Sequence, residues 1–177
     1  MTDTPPARTP PAPGAPGSPD PAATSGHGLP GPWLVADIGG TNARFGWLAS
    51  GAGPVEYVAT IPAAGHAGPA EAAQDYLEQL AQRLGTSYRP PRAGAFAVAT
   101  AVGGDRVEFT NSGWAFSCRD TQRALGLDEL LLLNDFEALA MSLPRLQGAQ
   151  LRPFGPTPLP PAGAPAAGTL AVVGPGT

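Results

Sequence analysis

Short apolar runs alternate with polar, glycine-rich turns through the middle of the chain. Residues 33–38 (Trp-Leu-Val-Ala-Asp-Ile) predict a buried strand, which Gly39-Gly40 closes. Extended patterns at residues 43–48 and 55–61 predict two further strands. Because only a tight glycine turn separates the first two strands, we expect them to pair as an antiparallel hairpin.

The spacing of apolar residues then changes from that of a strand to that of a helix. Gly68-Pro69 opens a predicted helix over residues 70–84, and Gly85 follows as a stop signal. One face of this helix carries apolar side chains at helical spacing, and we expect that face to be buried. Its members are Ala73, Tyr76, Leu77 and Leu80.

The rest of the pattern predicts an α/β fold. The four consecutive leucines at 130–133 are typical of a strand buried on both faces. Strands that alternate with helices after an initial hairpin indicate a mixed sheet with an antiparallel portion. The other predicted elements are strands at 93–99, 106–110 and 170–173, a helical turn at 121–125 and a helix at 136–146.

Proline and glycine divide the chain into three parts. Residues 1–32 contain repeated Pro-Ala-Pro-Gly elements and almost no large apolar side chains, which predicts a disordered tail or, alternatively, a proline-rich ligand for a partner. Residues 33–146 have the composition of a small α/β domain with one core. Residues 147–177 are predicted to form a proline-rich connector and the truncated start of a second domain.

Charge and cysteine content exclude several classes of function. The net charge is −4, all ten basic residues are arginines and no basic patch appears, which argues against nucleic acid as a partner. The absence of lysine excludes a Walker A loop. Cys118 is the only cysteine, which fits a reducing, cytoplasmic compartment. No apolar run approaches the ~20 residues that a membrane span needs, so we expect no membrane partner.

The first segment that indicates chemistry is Asp37-x-Gly39-Gly40-Thr41-Asn42. Adjacent glycines after a buried strand can turn their N–H groups outward and form an anion-binding nest. Asp37, at the end of the strand, is placed to hold Mg²⁺ directly or through water. The Thr41 hydroxyl adds a donor for a phosphate oxygen. The alternative is a plain hairpin turn.

The second segment is Asn134-Asp135, directly after the leucine run. A carboxylate at the end of a buried strand lies at the edge of the sheet where ligands bind. There Asp135 can accept a proton from a sugar hydroxyl while Asn134 binds neighbouring hydroxyls. The alternative is that Asp135 is the N-cap of the following helix.

A third segment, residues 110–117 (Thr-Asn-Ser-Gly-Trp-Ala-Phe-Ser), predicts a polar loop. Asn111 is a candidate for lining a sugar site. Trp114 and Phe116 are better explained as side chains that cover the core, because large aromatic side chains gain most from burial.

Taken in order, these segments resemble the bacterial glucokinase family. The Asp-x-Gly-Gly-Thr element occurs across sugar kinases of the actin-like superfamily, whereas the ordered set is more specific. The resemblance extends from residue 33 to residue 177. It rests on residues 35–44, Thr110-Asn111, residues 114–117, residues 134–136 and the final Val-Gly-Pro-Gly-Thr at 173–177.

This resemblance implies an actin-like ATPase (ribonuclease H-like) fold and ATP-dependent phosphorylation of the 6-hydroxyl of glucose, with Mg²⁺. It makes Asp135 the general base, and Asn134 and Asn111 sugar ligands. The turn at residues 39–42 takes the first phosphate role, and a second turn at Gly174, Gly176 and Thr177 takes the second. The resemblance also allows a homodimer of the full-length enzyme.

Family members continue beyond Thr177 with a Glu-x-x-His pair, another sugar-binding glutamate and an adenosine pocket. We therefore expect this chain by itself not to phosphorylate glucose. Two alternatives stay open: another sugar kinase of the same superfamily, and a non-catalytic sugar-binding or regulatory module derived from one. The presence of both Asp37 and Asp135 disfavours the latter, because a binding module needs neither a metal ligand nor a base.

Overall fold

The computed structural model describes residues 31–50, 53–109, 113–146, 150–152, 155 and 169–174. Within these residues the strands are β1 (Trp33–Ile38), β2 (Asn42–Leu48), β3 (Glu56–Pro62), β4 (Ala93–Val98), β5 (Arg106–Glu108), β6 (Ala115–Ser117) and β7 (Glu129–Asn134). The helices are α1 (Pro69–Leu84), α2 (Cys118–Ala124) and α3 (Asp135–Ser142), with 3-10 turns at Gly85–Ser87 and Leu143–Arg145. None of the helices described is long and apolar enough to cross a membrane.

The strands form one mixed sheet and one short hairpin. The sheet has five strands in the order β3-β2-β1-β4-β7, and β5 pairs with β6 separately. The expected hairpin is confirmed, since β1 pairs antiparallel with β2. β1, β4 and β7 run parallel, so their carboxyl ends meet at one edge, where Ile38, Val98 and Asn134 share a row.

The core lies between the sheet and α1. Alternate residues of β1 face it, and Leu34, Ile38, Phe45 and Phe96 are fully buried. The Phe45 ring stacks on Tyr76 of α1 with centroids 5.5 Å apart. Each such side chain contributes roughly 1.5–3 kcal/mol through burial, so these contacts hold the sheet against α1.

Helix α1 agrees with its prediction at both ends. Pro69 occupies its first turn, where no backbone N–H is needed. Gly85 follows the helix with φ of +55°, a conformation that favours glycine. The expected buried face is present, although Leu77 is only partly buried.

Several predicted elements have different bounds. The predicted helix at 136–146 begins at Asp135 and ends at Ser142, with a 3-10 turn after it, because Pro144 has no N–H to continue the helical hydrogen bonds. The predicted strand at 106–110 ends at Glu108. The predicted helical turn at 121–125 begins earlier, at Cys118, because the Ser117 hydroxyl accepts the Asp120 N–H at 3.1 Å as an N-cap. The predicted polar loop at 110–117 contains β6, whose Phe116 pairs with Val107 of β5. Trp114 and Phe116 are buried, as expected.

Two strand predictions are wrong. Among the described residues β7 lies at the edge of the sheet and is buried on one face only: Leu130 is buried, whereas Leu131 is 46% exposed. The predicted strand at residues 170–173 is absent, and Val173 is 88% exposed. No strand among the described residues pairs with this segment, so its backbone cannot join a ladder. The predicted tail, except residues 31–32, lies outside the described residues.

Candidate active site

The candidate site is built on the edge where β1, β4 and β7 end. Neighbouring strands lie about 4.8 Å apart, so roughly 10 Å separates the turn after β1 from the start of α3 after β7. The segment after β4 crosses this gap. Its Ala99 N–H donates to the Ile38 carbonyl at 3.1 Å, and its Thr100 carbonyl accepts the Asn134 Nδ2–H at 3.0 Å.

The turn after β1 offers donors but does not form the predicted nest at its first glycine. The Gly39 N–H donates to the Asn42 carbonyl at 2.9 Å, which closes the hairpin, and the φ of Gly39 lies outside the left-handed region. The nest interpretation therefore fails at Gly39, because its N–H points into the turn. No hydrogen bond among the described residues uses the N–H groups of Gly40 or Thr41.

The fold does not itself require a glycine at position 39. A Cβ built there would lie 3.5 Å from the Asn42 carbonyl oxygen, an ordinary van der Waals contact. With neither crowding nor a positive φ, a side chain would be accommodated. Its absence leaves the outer surface of the turn open to close approach by a ligand.

Asp37 presents an exposed carboxylate on the opposite face of the sheet from the core. It makes no hydrogen bond or ion pair within the described part of the chain. Asp37 and its cross-strand neighbour Arg44 line an open cavity of about 220 Å³ together with Val35 and Val58. No group of three or more His, Cys, Asp or Glu side chains that could hold a metal occurs among the described residues.

Asn134, rather than Asp135, is the N-cap of α3. Its Oδ1 accepts the Phe136 N–H at 3.0 Å, so the alternative that made Asp135 the cap is wrong. Asn134 also uses its Nδ2 on Thr100. The amide therefore organises the edge of the sheet, and one of its two N–H bonds is left for a ligand.

Asp135 is the first residue of α3 and is half-buried. One of its carboxylate oxygens, Oδ1, accepts the Phe136 N–H at 2.8 Å. The other oxygen has no partner among the described residues and is available to accept a proton. An acidic side chain in the first turn also complements the helix dipole.

The structure places the chain near residue 174 beside α3. The Cα of Gly174 lies so close to the Phe136 ring that a Cβ there would displace the ring. The first residue of the predicted second phosphate turn therefore lies against the residue that follows Asp135. Gly176 and Thr177 of that turn, and Asn111 of the predicted sugar loop, lie outside the described residues.

Thr100 is a residue of this edge that the sequence analysis did not identify. It follows the end of β4, between the two predicted segments, and makes hydrogen bonds through both its carbonyl and its hydroxyl. The rule that side chains after parallel strands gather at one edge would have found it. It was missed because the residues on either side of it, Ala99, Ala101 and Val102, are apolar, and the glycines and the carboxylate of this segment come only at 103–105.

Cys118 takes no part in the site. Its Sγ lies 3.6 Å from the Leu130 carbonyl oxygen on the core side of β7. Burial, with a smaller contribution from the Asp105 carboxylate, raises the pKa of the Cys118 thiol. A thiol that stays protonated is a poor nucleophile and metal ligand.

Comparison with known proteins agrees with this geometry. The family model "Glucokinase" matches residues 34–177. The glucokinase of Aromatoleum aromaticum is 44% identical over 147 residues, covering 82% of this chain and 41% of that protein. The glucokinase of Paramagnetospirillum magneticum is 43% identical over 144 residues, covering 81% and 41%. The chain thus spans about two-fifths of the length of these relatives.

The fold is shared with a solved relative. The crystal structure of a glucokinase from an Antarctic psychrotroph matches with a TM-score of 0.59 and 35% identity, covering 67% of this chain and 37% of that one. The expected α/β fold with a mixed sheet is confirmed, and so is the family that the ordered motifs predicted. The chain belongs to the glucokinase family.

Proposed function

We propose that this chain supplies the sugar-phosphorylating edge of a glucokinase, which transfers the γ-phosphoryl group of ATP to the 6-hydroxyl of D-glucose. One observation carries the proposal. Three features lie at the same end of the sheet: the turn after β1, the Asp135 carboxylate with one oxygen available, and the segment at Gly174.

Asp135 serves as the general base. Its free oxygen accepts the proton of the 6-hydroxyl while that hydroxyl oxygen attacks the γ-phosphorus. A bond forms between O6 and the γ-phosphorus, the bond from that phosphorus to the β,γ-bridging oxygen breaks, and ADP leaves. A positioned base contributes typically 10²–10⁴-fold to such a reaction. Asn134, already fixed by Thr100 and α3, offers its remaining N–H to a sugar hydroxyl.

The turn after β1 binds phosphate. The N–H groups of Gly40 and Thr41 and the Thr41 hydroxyl are its donors, with Asn42 closing the turn behind them. The bare surface at Gly39 lets phosphate oxygens approach the backbone closely. Phosphoryl transfer depends mainly on such positioning and on charge neutralisation.

Asp37 is the residue that would hold Mg²⁺. The ion typically binds through one or two carboxylates, waters and the phosphates of the substrate, so a single exposed carboxylate without a protein partner suits it. When bound, the ion neutralises charge on the phosphates. The described residues contribute one acidic ligand from β1, and the nucleotide itself would complete the site.

The test uses a chimaera, called here the completed chain. In it, residues 1–177 are followed by the part of the Aromatoleum aromaticum glucokinase beyond the matched region. We expect it to form glucose 6-phosphate from glucose and ATP in a coupled assay, with the intact relative as positive control.

Other hexoses and the 177-residue chain alone are assayed in parallel. Faster turnover of another sugar would indicate the alternative sugar kinase. Glucose binding without any turnover would indicate the non-catalytic module and contradict the proposal.

A further inference from the structure

The proposed site has two halves: the turn after β1 at residues 39–42, here called the phosphate turn, and the pair Asn134-Asp135. Hydrogen bonds connect these halves through the β5–β6 hairpin. They form an unbroken path from Asn134 to Thr41, here called the edge path. From β7 to the hairpin, the Asn134 Nδ2–H donates to the Thr100 carbonyl (3.0 Å), and the Thr100 Oγ1–H donates to the Glu108 carbonyl (3.0 Å). Across the hairpin, the Phe109 N–H donates to the Trp114 carbonyl (3.1 Å), and the Trp114 Nε1–H donates to the His66 carbonyl (2.9 Å). The path ends with the His66 N–H to the Ala63 carbonyl (3.2 Å) and the Ala63 N–H to the Thr41 carbonyl (2.8 Å).

Trp114 is the side chain that joins the hairpin to the phosphate turn. It is 5% exposed, so its indole N–H requires a protein partner, and the His66 carbonyl is one. That carbonyl belongs to a tight turn after β3, in which Gly65 has φ of +94°. The His66 ring contacts the Pro62 carbonyl through Nδ1 at 3.0 Å, which stiffens the same turn.

The phosphate turn has space beside it into which it can shift. A cavity of about 270 Å³ is lined by Gly40, Thr41, Ala63, Ala64, Gly113 and Trp114. The bond from Ala63 to Thr41 and the bond from Trp114 to His66 hold the walls of this cavity together. Loss of either bond would let Gly40 and Thr41, at the tip of the turn, shift into this cavity while β1 stays paired with β4.

We propose that Trp114 is a positioning residue, which fixes the separation between the phosphate turn and Asn134-Asp135 through its indole N–H. This inference rests on the proposed function, since its kinetic consequence concerns phosphoryl transfer. In-line transfer needs the reacting atoms near 3–3.5 Å, and a misplacement of ~1 Å costs ~10²-fold in rate. The role is carried by the N–H rather than by the bulk of the ring.

Trp114→Phe in the completed chain tests this role, because it removes the N–H and keeps an aromatic ring. Trp47→Phe is the matched control. Trp47 is also buried, at 7% exposure, but its Nε1 has no hydrogen-bond partner in the part of the chain that the structure describes. We expect Trp114→Phe to lower kcat ~10–100-fold with the KM for glucose and for ATP nearly unchanged, and Trp47→Phe to leave kcat near the parent value.

Thr100→Val breaks the same path at a second place, by removing the hydroxyl that donates to Glu108. If the path acts as one unit, the double variant Thr100→Val/Trp114→Phe should be scarcely slower than Trp114→Phe alone. A kcat for Trp114→Phe that equals that of Trp47→Phe would overturn the proposal. The proposal would also be overturned if the loss of kcat in the double variant equalled the product of the losses in the two single variants.

A second readout needs no activity. In ¹⁵N-edited spectra of the 177-residue chain, Trp114→Phe should shift the amide signals of Gly40 and Thr41, whereas Trp47→Phe should not. If the completed chain fails to phosphorylate glucose, the proposed function fails. Unshifted signals in Trp114→Phe would instead refute the positioning role by themselves.

Discussion

Replacement of Gly39 by alanine separates the needs of the fold from those of the ligand. The added methyl group would lie 3.5 Å from the Asn42 carbonyl oxygen, and the backbone at this position is outside the left-handed region. Gly→Ala at a compatible position stabilises by about 0.4–1 kcal/mol, because the unfolded chain loses freedom. We therefore expect Gly39→Ala to fold at least as stably as the parent chain.

The same methyl group should damage phosphate binding. It occupies the surface by which phosphate oxygens reach the Gly40 and Thr41 amides, and displacement of the nucleotide by ~1 Å costs ~10²-fold in rate. Urea unfolding of the 177-residue chain measures the first effect. Turnover of the completed chain at varied ATP measures the second.

Gly103→Ala is a control for the assay. A Cβ at Gly103 would meet nothing within 4 Å, and the backbone there is outside the left-handed region. Normal ATP kinetics in Gly39→Ala would refute the phosphate role of the turn. A loss of stability beyond about 1 kcal/mol would instead show that the fold needs this glycine.

Three further predictions concern stability. Burial, with a smaller effect of Tyr88, raises the pKa of Tyr76 to about 12 from 10.0, so the unfolded chain ionises first. The free energy of unfolding should then fall by roughly 1 kcal/mol per pH unit as the pH rises from 10 towards 12, and less steeply in Tyr76→Phe. Equal slopes in urea titrations of the two proteins would contradict this. Asn134→Ala should lower the stability of the chain by about 1 kcal/mol, because α3 loses its N-cap. Thermal unfolding compares it with Asn134→Asp, which keeps a capping oxygen. Equal stability of the two variants would exclude the cap. Deletion of residues 1–30 should leave the unfolding transition unchanged, and a loss of ~1 kcal/mol or more would show that the tail packs.

The sequence was most informative where local pattern and long-range packing agree. The hairpin of β1 and β2 and helix α1 carry turn glycines, a starting proline and regular apolar spacing, so their predicted bounds fall within one or two residues of the observed ones. The leucine run did not reveal that β7 is the last strand of the sheet. Position in the sheet depends on which other strands are present, and local hydrophobicity does not report it.

The sequence allowed the individual site residues to be predicted, but not the hydrogen bonds and contacts between them. Strand-end motifs identified Asp37 and Asp135 as candidates, and both lie at the expected edge. The sequence did not indicate that Asn134 takes the cap. Ser, Asp and Asn compete for that position with similar energies, and local geometry decides between them. The contact of Gly174 with Phe136 joins residues far apart in the chain, which no local pattern reports.

The central claim is that Asp135 is the base of a glucose-phosphorylating site, and turnover of the Asp135→Ala variant of the completed chain tests it most directly. Glu137→Ala is the matched control, because Glu137 is the other acidic residue in the first turn of α3 and is exposed. We expect Asp135→Ala to lower kcat by ~10²–10⁴-fold, with a much smaller change in glucose affinity, and Glu137→Ala to remain near the parent value. Near-normal turnover in Asp135→Ala would contradict the assignment and leave Asp135 as an ordinary residue at the start of a helix.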